Sequence, residues 1–158
     1  DIHWDELDFL IIDLPPGTGD IQLSLSQNLP LSGAIIVSTP QELSLIDVRR
    51  AINMFRKVNV KILGIIENMS YFLNEANSEK IFIFGKEGAK NESKKQDIPF
   101  LGEIPILEEI SLSSDLGKPA ATIESSIVFE RFQKITSKRL DELQSEDISE
   151  PKIEIIDE

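Results

Sequence analysis

Residues 9–20 read FLIIDLPPGTGD. Four apolar residues, Phe9 to Ile12, run into Asp13, and two prolines and two glycines follow before a second carboxylate, Asp20. The run has the length and branched content of a strand buried on both faces. Pro15 and Pro16 stiffen the turn that leaves it, and Gly17 offers a backbone N–H with no side chain to obstruct an anion. A common phosphate loop, G-x-x-x-x-G-K-[ST], is not found: Gly85-Lys86 continues with Glu87 and Gly117-Lys118 with Pro119. Gly17-Thr18-Gly19 lacks the third glycine of a dinucleotide fingerprint. On the residues alone two readings stay open. In one, Asp13 orients Mg²⁺ through its water shell beside a loop that registers a terminal phosphate. In the other, the stretch is a strand-to-helix turn in which Asp20 caps a helix from Ile21.

Further along, Ala34 to Val37, Ile62 to Ile66 and Phe100 to Ile104 repeat the pattern of short apolar runs bounded by Gly, Pro or Asp, so four strands are expected in all. Leu45, Val48, Ile52 and Phe55 fall at spacings of three, four and three, the stripe of a helix facing a core. Thr39 and Glu42 have capping-box spacing, with Pro40 at the first helical position. Val128, Phe132, Ile135 and Leu143 continue a helical period near the end, capped by Ser125 or Ser126. Residues 72–83 read as an irregular or hairpin excursion between a strand and a helix. Strands alternating with helices indicate an α/β fold of parallel βαβ units, wound right-handedly. Ligands of such sheets bind beyond the carboxyl ends of the strands. Three unusual segments lie at those ends: Asp13 to Asp20, Glu67 to Ser70 and Glu103 to Leu107.

The chain has 158 residues, 41% hydrophobic and 28% charged, enough for one domain that buries roughly 70% of its unfolded surface. No apolar run approaches the ~20 residues of a membrane span, so no membrane partner is expected. Nothing at Asp1 to Trp4 resembles an export signal, and a cytoplasmic location is the expectation. Cysteine is absent, which excludes disulfides and thiolate metal sites built from this chain alone. The net charge of −12 is uneven: residues 141–158 hold eight acids and one base. The remainder has no basic stripe to meet phosphate backbones, which argues against nucleic acid. The domain is expected over residues 1–143, with an acidic, solvated tail over residues 144–158.

The string DFLIIDLPPGTGD, followed in order by ENMSYF (67–72), IFGKEGAK (83–90) and IPFLGEIPI (98–106), resembles the Mrp/ApbC family of P-loop ATPases. These are relatives of the MinD-type deviant Walker ATPases and act as iron–sulfur cluster carriers or assembly scaffolds. The resemblance runs from about Asp8 to Leu140. It implies a P-loop NTPase-like parallel sheet with flanking helices, truncated at the N-terminus, since the family's lysine-bearing phosphate loop lies upstream of DLPPGTGD. It makes Asp13 the Walker B acid and Pro15-Pro16-Gly17 the γ-phosphate switch. It also makes Asn68 the reader of the adenine edge, and sets Pro105 and Ile106 against the base. ATP, Mg²⁺, a homodimer and iron–sulfur client apoproteins are the implied ligands and partners. An Asn amide, one donor and one acceptor in a plane, suits adenine; without the family, Asn68 reads as a turn or cap residue.

Cluster-carrying members often have C-x-x-C just after ENMSYF. Here Asn74 and Asn77 occupy those positions. A neutral amide is a hard, weak ligand that does not replace a thiolate on iron, so no metal ligand is assigned and cluster transfer through this motif is not expected. A non-catalytic adaptor that keeps the fold, or a MinD-like regulator, is the alternative. The regulator is disfavoured because the acidic tail would be repelled by anionic lipid. His3 reads as a surface residue, Trp4 and Tyr71 as packing residues, and Arg49 and Arg50 as the solvated face of their helix.

Overall fold

A computed structural model of the chain describes residues 6–15, 19–74 and 76–145, with side chains in the last helix to Lys138. His3, Trp4, Pro16, Gly17, the side chain of Leu143 and the tail beyond residue 145 lie outside the described residues. The elements are α1 (Asp20–Asn28), β1 (Ala34–Ser38), α2 (Glu42–Lys57), β2 (Ile62–Glu67), β3 (Phe72–Leu73), β4 (Lys80–Ile81), α3 (Gly88–Gln96), β5 (Phe100–Glu103), α4 (Glu108–Asp115), a 3₁₀ turn (Ala120–Thr122) and α5 (Ile127–Ser145).

β1, β2 and β5 form a parallel sheet in the order β1-β2-β5. β2 is central and reads ILGIIE, a near-continuous apolar run with both faces covered. Its successive side chains point to opposite faces. Ile65 joins Ile36, Leu45, Val48, Ile52, Ala89 and Ile98 under α2 and α3. Ile66 packs with Leu101, Ile104 and Ile135 under α5. Gly64 lies on the α5 side, where a Cβ would come within 2.4 Å of Leu101 Cγ, so a close side-chain crossing requires glycine there. On β1, Ile35 and Val37 share the α5 side with Gly64 and Ile66 but lie beside β2 where α5 does not cover them, and they stay exposed.

The expected stripe on α2 is buried in full: Leu45, Val48, Ile52 and Phe55. The expected capping box does not form. Gln41 occupies the N-cap without a side-chain bond, and Thr39 Oγ1 instead pairs with Ser44 Oγ at 2.8 Å. Ser126 does cap α5, its Oγ accepting from Val128 N at 3.0 Å. The expected excursion is the antiparallel hairpin β3–β4.

One expected strand is corrected. Residues 9–12 form no strand, and Ile11 is 91% exposed. Among the described residues nothing pairs with this run or with the outer edge of β1, and a lone extended segment has no ladder to satisfy its backbone. The chain is anchored just beyond the run: Leu14 packs against Met54, Phe55 and Val60, a cluster that Leu23 of α1 also joins, and Pro15 O accepts from Gln22 Nε2 of α1.

Candidate functional site

The carboxyl ends of the three strands are laced by backbone hydrogen bonds. Asn68 N donates to Ser38 O (2.7 Å), Ile104 N to Glu67 O (2.8 Å), Ser70 N to Ile104 O (3.0 Å) and Ile106 N to Tyr71 O (2.7 Å). Phe72 and Ile106 form a parallel bridge. The turn carrying Asn68 and the turn carrying Pro105 and Ile106 are thereby neighbours, which joins two of the expected site segments.

Asn68 is partly buried, and its Oδ1 accepts from Met69 N at 2.9 Å. This fixes the amide plane and stabilises Met69 at φ 53°, an unusual value for a non-glycine residue. Among the described residues Asn68 Nδ2 has no partner, and Oδ1 keeps a second lone pair. The amide can thus donate to, and accept from, an incoming planar group. Pro105 is fully buried behind this turn, while Ile106 is partly exposed.

The third segment stands apart. Asp13 is exposed, and among the described residues no hydrogen bond or ion pair joins it to the Asn68 turn. Its flank is tied to α1 by Gln22 Nε2, which donates to Pro15 O at 2.9 Å. α1 begins at Asp20 with Gly19 as N-cap, so Asp20 sits in the first turn, where its charge complements the helix dipole.

Residues given no role by the sequence pattern support this turn. Glu67 ends β2 and is 2% exposed. Its Oε2 accepts from Ala89 N (2.8 Å) and Lys90 N (3.4 Å) in the first turn of α3. Burial pushes its carboxyl above the usual carboxylate range, against the pull of those two N–H groups. Gly88 lies against the turn after β1: an added Cβ would fall 2.1 Å from Pro40 O, so no side chain fits. Lys80 of the hairpin pairs with Glu103 at 2.7 Å and lies 3.8 Å above the ring of fully buried Tyr71. The one available signal for Glu67 is an acid closing an otherwise apolar strand.

At the hairpin tip, Asn74 Oδ1 accepts from Ala76 N and Asn77 Oδ1 from Glu79 N, each at 3.0 Å. Asn77 Nδ2 donates to Glu79 Oε2 at 3.1 Å. Both amide oxygens are thus committed to closing the turn, in the manner of Asx turns. Among the described residues no three His, Cys, Asp or Glu side chains converge as metal ligands, and no helix is long and apolar enough to cross a membrane. The hairpin does not fit an iron–sulfur cluster.

A parallel sheet flanked on both faces by helices, with its loops gathered at the strands' carboxyl ends, is the layout of P-loop NTPase-like α/β proteins. A MinD structure from Pyrococcus horikoshii, determined with Mg-ADP, shares the fold with TM-score 0.54 at 23% identity, over 72% of this chain and 43% of that one. A nucleotide-binding protein from Archaeoglobus fulgidus, determined with ADP, is 46% identical with TM-score 0.65, over 73% of this chain and 47% of that one. The family profile of the NUBPL iron-transfer P-loop NTPases, within ParA, matches residues 1–140, and the chain belongs to that family. The iron–sulfur cluster transfer protein NUBPL of Dictyostelium discoideum is 50% identical over 137 residues, 87% of this chain and 42% of its own length. The chain spans about two fifths of the length of curated relatives it matches.

Proposed function

We propose that this chain is the base-recognising portion of an ATP-binding and ATP-hydrolysing iron–sulfur cluster carrier or assembly factor, whose phosphate loop lies outside these 158 residues. The observation that carries this reading is the Asn68 turn, which holds an amide in a fixed plane with an Nδ2 that has no partner among the described residues. In this reading Asn68 reads adenine, Ile106 lies against the base, and buried Pro105 stiffens the turn behind it. Pro15, Pro16 and Gly17 form the switch that senses the terminal phosphate. Asp13 orders the water shell of Mg²⁺, which when bound would neutralise charge on the phosphates during transfer. The ADP complex of the Archaeoglobus relative, nearly half identical, supports a nucleotide as ligand. A homodimer, iron–sulfur client apoproteins and a cytoplasmic location complete the proposal; a reducing compartment suits a disulfide-free chain.

A cluster is cargo in this reading, and the Asn74–Asn77 hairpin does not hold it. That observation favours a second reading, an adaptor that retains the fold and the nucleotide but not the metal. Anaerobic reconstitution with iron and sulfide tests the hairpin itself: near-zero bound iron on this chain after desalting is expected, with stoichiometric iron contradicting it. Restoring both thiolates in Asn74→Cys with Asn77→Cys should bring iron binding back in the full-length parent.

The base-side reading is tested by calorimetry on the full-length parent. Asn68→Ala should weaken ATP binding by about 1–3 kcal/mol, the usual cost of leaving polar partners unpaired, and reduce the preference for ATP over GTP. Unchanged affinity and preference would place the base elsewhere.

A further inference from the structure

Glu67 is the point where four segments meet. Its Cα is in register with Ser38 of β1 and Glu103 of β5. Its carbonyl accepts from Ile104 N and from Ser70 Oγ, each at 2.8 Å, so the 67–70 turn closes on Glu67 itself. Its carboxylate accepts from the first turn of α3. Asn68, the next residue, is tied back to β1 through its N–H. The contrast with Glu92 shows how unusual the arrangement is. Glu92 is 1% exposed and receives the Arg49 guanidinium through both oxygens, at 3.0 and 2.8 Å. Glu67 is as deeply buried, yet among the described residues it forms no ion pair. A buried carboxylate without a cation is costly, so its contribution is to placement and not to stability.

We propose that Glu67 is a positioning residue for nucleotide recognition: its ionised carboxylate, seated on the α3 N-terminus, holds the Asn68 turn in the orientation that distinguishes one base from another. The inference rests on the base-side reading of Asn68. Charged acceptors bind N–H groups about twice as strongly as neutral ones, and the positive end of α3 adds to the hold. Protonation would leave a neutral acid with a buried O–H in need of an acceptor, and the grip on Ala89 and Lys90 would slacken. Around Glu67, α3 contributes Lys90 and β5 contributes Glu103, itself paired with Lys80. β1 presents the non-titrating Ser38, and α2 directs Arg49 to Glu42 and Glu92 instead.

The test uses the full-length parent and the ratio of ATP to GTP affinity, because effects on the shared triphosphate cancel in that ratio. Glu67→Gln, isosteric and neutral, should lower the ratio by about tenfold while phosphate-dependent binding of both nucleotides persists. In the wild type the ratio should fall toward the variant's value as pH drops through the raised value of the Glu67 carboxyl toward the ordinary carboxylate range, whereas the variant's ratio stays flat. The wild-type profile needs no mutation, so it decides the matter even if Glu67→Gln fails to fold. A flat wild-type ratio, or an unchanged ratio in a folded Glu67→Gln, overturns the proposal. Asn68→Ala keeps the two levels apart. If it lowers the ratio while Glu67→Gln does not, only the positioning role fails; if it leaves the ratio unchanged, the base-side reading fails with it.

Discussion

Residues 9–13 (FLIID) and 64–67 (GIIE) are close to the same sentence: an apolar run that ends on an acid. In the second, Ile65 is wholly buried, strands pair on both sides and the acid is buried on the start of α3. In the first, no ladder forms among the described residues, Ile11 is 91% exposed and the acid faces solvent. Local composition makes a segment able to be a strand, and only a neighbour to pair with makes it one. The same difference divides the proposed site: the base side is assembled here, and the phosphate side is anchored only through Leu14 and Pro15.

Substitutions at matched positions sharpen this contrast. Ile65→Ala should cost about 2–5 kcal/mol in denaturant unfolding, as a cavity beneath two helices does. Ile11→Ala in the same chain should change stability by less than about 0.5 kcal/mol. A large loss at Ile11 would mean that the segment pairs after all.

Next in size is the seam between α2 and α3. Arg49→Ala strands the buried carboxylate of Glu92 and should lower the melting temperature clearly, by less to the extent that water reaches the partly exposed guanidinium site. Arg50→Ala, whose partner Asp47 is exposed, should cost less than about 1 kcal/mol. Equal losses would show that Glu92 is solvated in solution.

The two buried glutamates should also bend the pH dependence in opposite directions. Arg49 holds the Glu92 carboxyl below its ordinary value of 4.5. Its contribution is present above 4.5 and lost as pH falls through the lowered value. Burial holds Glu67 above 4.5. Its contribution is complete below 4.5 and lost as pH rises through the raised value. Melting curves from about pH 3 to 7 should therefore show Glu92→Gln removing part of the acid-side loss and Glu67→Gln removing part of the loss on the rising side. Parallel profiles for the two variants would contradict the difference in their surroundings.

How much was legible follows from the same physics. β1, β2 and β5 announce themselves as short apolar runs bounded by Gly, Pro or Asp, although only β2 has a strand on each side, and the α2 stripe does so because its buried side chains are large. α3 gives no such signal: the residues it buries are Ala89, Glu92 and Ser93, two of them polar. α4 buries only Ser113. Arg49 reads as solvated because its partner Glu92 lies 43 residues away, and Glu67 reads as a strand end because its partners are backbone N–H groups of a helix that sequence pattern conceals. The Thr39 capping box fails for a local reason, since Ser44 takes the threonine hydroxyl. The roles expected of Asn68, Pro105 and Ile106 rest on family resemblance, and backbone bonds invisible to sequence pattern hold their two turns side by side.

We propose that Asp13 and Asn68 serve one ATP site from opposite sides, and among the described residues only the Asn68 side is assembled. The most direct test is Mg²⁺-dependent ATP hydrolysis by the full-length parent with and without Asp13→Asn. A slow turnover in the wild type that disappears in the variant, with melting temperature and binding of the base unchanged, is the predicted result, because a neutral amide does not order the metal's water shell. Equal hydrolysis by the two proteins would contradict it.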